Sequence, residues 1–128
     1  MVSPSIYKKK GILEGKFIYY GGRYWMIEKF DPDLYGGGFF VVPIYFNDKR
    51  EAEVRHAGSK WCYKCNGAIL KNPERKVIIE AYKSQLEHLE WCKNMQKECL
   101  FEKKEDYQDC LIKVNTKIEH YKKLLAEE

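Results

Sequence analysis

Nowhere does this sequence hold the roughly 20 consecutive apolar residues that a membrane-spanning helix needs, and its opening, MVSPSIYKKKGILEGK, lacks the apolar stretch of a secretory leader. A soluble, cytoplasmic protein with no membrane partner is therefore expected. The familiar catalytic signatures are also missing: there is no HExxH, no GxSxG and no GxxxxGK[ST], and His56, His88 and His120 stand far apart. A non-catalytic role is the expectation, although catalysis built from scattered residues would leave no motif. Two further absences shape the chain. Between Val54 and Pro73 there is no Asp or Glu, and after Pro73 there is neither glycine nor proline.

The five cysteines are an odd number with a single close pair, Cys62 and Cys65, which suits reduced thiols or metal ligation better than a disulfide framework. A chain of 128 residues, 45% hydrophobic and 15% aromatic, is large enough to bury a core without staples. Its net charge of +4 is uneven: residues 1–72 carry 12 Lys/Arg against 7 Asp/Glu, and residues 73–128 carry 11 against 12. Any attraction for an acidic partner belongs to the first part.

That first part reads as an antiparallel β-meander or a small SH3-like barrel of four or five strands, over residues 1–58. In KFIYYGGRYWMIEKF, Gly21 and Gly22 separate two aromatic and β-branched runs, the strongest hairpin signal in the chain. A two-residue turn pairs Tyr20 with Arg23, Ile18 with Trp25 and Lys16 with Ile27. Period-two alternation then puts those six on one face and Phe17, Tyr19, Tyr24 and Met26 on the other. A first strand is expected over residues 7–13. FFVVPIYF (39–46) forms another, with Pro43 at an edge or a bulge because it cannot donate to a ladder. EAEVRH (51–56) alternates as a half-exposed strand does, and Asn47-Asp48 supplies the turn before it.

Residues 59–72 read as a cysteine-bearing connection, and residues 73–128 as helical. Asn72-Pro73-Glu74 has the order of an N-cap, a first-turn proline and an acid. Ile79, Tyr82, Leu86 and Leu89 make one apolar stripe; Tyr107, Leu111, Val114, Ile118, Tyr121 and Leu125 make a second, out of phase with the first. The phase break falls near EKKED (102–106), so an antiparallel helical hairpin with its tip there, packed on the sheet or on a second protomer, is preferred to one helix of about 55 residues and roughly 80 Å. About such a tip Cys99 and Cys110 would face each other.

HAGSKWCYKCNGAIL (56–70) raises the functional alternatives. Cys62 and Cys65 have the spacing of a zinc knuckle, and His88 and Cys92, four apart on one helix face, could complete a Cys3His set. The plainer reading makes them small buried residues and no cofactor is bound. A thioredoxin-like role is disfavoured because the pair does not open a helix. The acid-free run interleaves Arg55, Lys60, Lys64 and Lys71 with Trp61 and Tyr63, a pattern suited to single-stranded nucleic acid, and Lys16, Tyr20, Arg23 and Trp25 could extend that surface. DPDLYGGG (31–38) fits neither a phosphate loop nor a calcium loop and reads as a glycine-bearing connection presenting Tyr35.

The composition and pattern together point to a small binding protein of adaptor or inhibitor type. It would contact another protein through Tyr20, Arg23, Trp25 and Tyr35 with Lys60, Trp61, Tyr63 and Lys64, and form a homodimer. The alternative is a nucleic-acid binder with a structural zinc.

Overall fold

The computed structural model describes residues 13–31, 38–63, 69–98 and 104–128. The expected strand over residues 7–13 lies, except for Leu13, outside them. The chain is α+β: an antiparallel sheet followed by two helices. β1 (Phe17–Tyr20) and β2 (Arg23–Asp31) are joined at Gly21 and Gly22, whose φ angles of 61° and 79° lie in the left-handed region that glycine enters without a Cβ penalty. Their register pairs Tyr20 with Arg23, Tyr19 with Tyr24, Ile18 with Trp25 and Phe17 with Met26. One hairpin face thus carries Ile18, Tyr20, Trp25 and Ile27, as the turn chemistry dictates.

β3 (Gly38–Phe46) pairs with β2 along one edge. Its other edge is shared: β4 (Ala52–Val54) takes Ile44 to Phe46, and β5 (Lys60–Tyr63) takes Gly38 to Val41. A 3₁₀ turn, His56–Gly58, separates these two partners. Pro43 falls at that interruption. β3 is therefore central rather than an edge, and the proline is tolerated because the neighbouring strand breaks where its missing N–H would have donated. The Pro43 carbonyl still accepts from the Arg55 N–H at 3.1 Å. β6 (Ile69–Leu70) adds to the free edge of β1. Residues 59–72 are thus no mere connection, since both β5 and β6 belong to the sheet.

Both faces of the sheet bury apolar residues. On one, Leu13, Ile18, Ile27, Phe39, Val41 and Cys62 form a cluster, with Tyr20, Trp25 and Leu70 packed against it. A bulge between Ile27 and Lys29 bends β2 beside this cluster. On the other, Phe17, Met26, Val42, Ile44, Ala52 and Val54 are buried. Each large apolar side chain so enclosed contributes about 1.5–3 kcal/mol. The start of α1 (Arg75–Glu98) joins this second face, where Glu80 Oε1 accepts from the Ala52 N–H at 3.3 Å.

The chain divides into two compact units, residues 1–81 and 82–128. The boundary lies within α1, not at the expected strand-to-helix junction, because the first helical turns belong with the sheet. The second unit is the helical hairpin. α2 (Lys104–Ala126) antiparallels the rest of α1, and Tyr82 and Tyr121 meet with ring centroids 5.9 Å apart. Lys104, Glu105 and Asp106, expected at the hairpin tip, belong to the start of α2, where Glu105 and Asp106 complement the helix dipole. Cys99 falls outside the described residues, and with it the expected Cys99–Cys110 pairing. Tyr82, Gln85 and Leu89 are buried on α1, whereas Leu86 is only half-buried. The buried face is therefore turned from the expected stripe and takes in a polar residue. No helix among the described residues is long and apolar enough to cross a membrane.

Candidate functional site

The hairpin turn and the end of β3 bring four rings to one end of the sheet. Tyr19 and Tyr24, directly cross-strand, meet edge to face with centroids 5.0 Å apart. Tyr45 and Phe46 stand at the end of β3, and Phe46 is 57% exposed. With Arg23, Ile44, Pro73, Glu74 and Val77 these residues line an open groove of about 670 Å³. Pro73, Glu74 and Val77, from the segment that enters α1, complete the lining. This lining includes one cation, Arg23, and one carboxylate, Glu74.

Cations lie over the rings. The Arg23 guanidinium is 4.1 Å from the Tyr45 ring centre, and the Arg55 guanidinium is 4.5 Å from the same ring. Lys60 places its ammonium 4.5 Å from both the Tyr20 and the Trp25 rings, and Lys71 lies 5.1 Å from Tyr19. Such contacts are worth about 0.5–1 kcal/mol each at exposed sites, a bias toward these side-chain positions. Trp25 is fixed further by donating its indole N–H to the Tyr20 carbonyl at 3.0 Å. Carboxylates are few here. Glu53 is 4.0 Å from Arg55, and Glu28 is 3.8 Å from His56.

Of the residues expected to meet a partner, Tyr20, Arg23, Trp25 and Lys60 do come together, on one sheet face. Tyr20 and Trp25 are half-buried, so part of each ring remains at the surface. Trp61 is separated from them: strand alternation turns it to the opposite face, where it packs edge to face on Phe40 with centroids 4.7 Å apart. Tyr35 and Lys64 lie outside the described residues, and of Tyr63 only the backbone is described.

No family model matches the chain, and no curated protein or solved structure matches it either.

The expected zinc ligands divide similarly. Cys62 is fully buried among Leu13, Ile18 and Phe39, because β5 alternation points it into the apolar cluster rather than onto a knuckle. Cys65 lies outside the described residues. His88 and Cys92 do meet, with Nε2 and Sγ 3.4 Å apart one helical turn from each other. No three candidate ligands gather among the described residues.

Sequence reading missed the groove residues Tyr19, Tyr24, Tyr45 and Phe46 as a group. Tyr19 and Tyr24 were readable as cross-strand neighbours. The missing signal was the β2–β3 register, a long-range pairing that brings the end of β3 beside the hairpin turn.

Proposed function

We propose that this chain is a non-catalytic binding protein of adaptor or inhibitor type, whose partner is another protein docked in the aromatic groove at the turn end of the sheet. The observation that carries this reading is the open cleft of about 670 Å³ lined by Tyr19, Tyr24, Tyr45 and Phe46. Tyrosine and arginine give interfaces large, stiff contact area with a polar tip, and are enriched at binding hot spots. Phe46 at 57% exposure and Tyr19 at 37% leave apolar surface that a partner would remove from water. Arg23, held against Tyr45, loses little side-chain freedom on binding, which favours affinity.

The test is affinity capture from the source cell by the full chain, compared with capture by Phe46→Asp, each with and without nuclease. A protein retained by the native chain, nuclease-resistant and lost with Phe46→Asp, supports the reading. Identical profiles for both chains overturn it.

A second reading, single-stranded nucleic-acid binding, is favoured by Arg23, Arg55, Lys60 and Lys71 standing over aromatic rings. Basic groups attract phosphates and rings stack on bases, so retention on single strands should fall steeply with salt. Nuclease-sensitive capture would select this alternative.

A further inference from the structure

The helical hairpin carries a second chemical feature unrelated to the groove. On α1, His88 and Cys92 are one turn apart, and their Nε2 and Sγ atoms approach to 3.4 Å. Zinc takes sulfur at about 2.3 Å and imidazole nitrogen at about 2.0 Å, and at the tetrahedral angle those bonds place the two donors about 3.5 Å apart. The pair, in thiol–imidazole hydrogen-bond contact, therefore already has about the edge length of a tetrahedral site. Two donors leave two positions to be filled. The same helix face continues with Trp91 and Met95, which with His88 and Cys92 fall at spacings of three and four. Trp91 is 59% exposed and Met95 41%, an apolar flank beside the donor pair.

We propose that His88 and Cys92 form a chelating half-site for a soft divalent cation, zinc above all, and that the same pair of a second copy completes it. A two-fold axis through the ion gives Cys2His2 ligation and buries Trp91 and Met95 against their symmetry mates. The occupant is a second copy because each chain supplies half of the tetrahedron from adjacent side chains, which a self-complementary contact doubles without a new residue. On binding, the Cys92 thiol gives its proton to solvent and the thiolate ligates, while neutral His88 ligates through Nε2.

Cobalt(II) titration of the full chain, alongside light scattering, tests this. The background is Cys65→Ser, which removes the CxxC pair as a competing site. The expected result is thiolate-to-cobalt charge transfer with strong tetrahedral d–d absorption, an endpoint of one ion per two chains, and an apparent mass that doubles with zinc and halves with chelator. Cys92→Ser and His88→Gln, with unchanged far-ultraviolet circular dichroism, should each weaken metal binding at least tenfold. Trp91→Ala should weaken the zinc-dependent dimer. Absorption that survives Cys92→Ser overturns the proposal, as does loss of the signal on introducing Cys65→Ser alone. An endpoint of one ion per chain with no change in mass overturns the second-copy completion.

Discussion

Arg23 sets its guanidinium 4.1 Å from the centre of the Tyr45 ring, tying the first residue of β2 to the end of β3. The two are 22 positions apart, and their contact joins the groove to the cation-bearing sheet face. Arg23→Ala should weaken partner capture about tenfold or more, the usual range for truncating a preset arginine at an interface, while lowering stability by no more than about 1 kcal/mol. Surface plasmon resonance with the captured partner and urea unfolding measure the two effects. Unchanged affinity would remove Arg23 from the site.

Phe46 separates binding from folding more cleanly, being exposed at the strand end. Phe46→Asp should leave stability within about 0.5 kcal/mol of the native chain, as surface substitutions do. Its capture of partner should disappear. A large fall in denaturation midpoint would instead assign Phe46 to the fold.

Gly38 is held by close approach. A Cβ there would stand 2.6 Å from the Cys62 carbonyl oxygen and 2.8 Å from the Trp61 ring. The backbone oxygen cannot yield without parting β3 from β5, so Gly38→Ala should cost on the order of 1–3 kcal/mol and shift tryptophan emission. A variant with native stability would show that the two strands separate readily.

Gln85 is 1% exposed, and its Oε1 is buried with no hydrogen-bond partner among the described residues. Leaving such an oxygen unpaired costs about 1–3 kcal/mol, so Gln85→Leu should raise the urea midpoint, with a gain on the order of 1 kcal/mol. A clear loss would mean that the amide makes its contribution through packing or its NH₂ group. Polar residues in helix seams trade stability for specificity of pairing, and greater self-association of Gln85→Leu would reveal that role here.

Tyr82 gives a pH dependence with a fixed sign. Burial, and then the negative charges of Glu128 and Glu127, push its phenol from 10.0 up to about 12. The unfolded chain ionises first, so the contribution is fully present below about pH 10 and is lost as pH rises toward 12. At about 1.4 kcal/mol per unit the loss is on the order of 3 kcal/mol. Tyr82→Phe should flatten that part of the stability profile; an unchanged alkaline slope would locate its origin elsewhere.

Local chemistry was enough for several features. Gly21-Gly22 set the hairpin turn and hence the Tyr20–Arg23 and Ile18–Trp25 register, because a two-residue turn leaves the strands one way to pair. Asn47 acted as a turn residue, with its Oδ1 accepting from the N–H groups of Lys49 and Glu51 at 2.9 Å. The Val114, Ile118 and Tyr121 stripe of α2 is buried as its spacing implied. Period and turn chemistry report these features because they depend on near neighbours in the chain.

What the amino-acid order alone determined is therefore the class of structure: strands first, helices after, with most of the rings and the net positive charge in the first part. The tertiary structure decided which of them meet. β3 is shared between β4 and β5 across a break at Pro43, so Lys60 reaches Tyr20 and Trp25 while Trp61 turns away and Cys62 enters the core. α1 rotates its buried face to include Gln85. Both outcomes are set by long-range pairing and packing, in which burial worth several kcal/mol outweighs the polarity or propensity of any single residue.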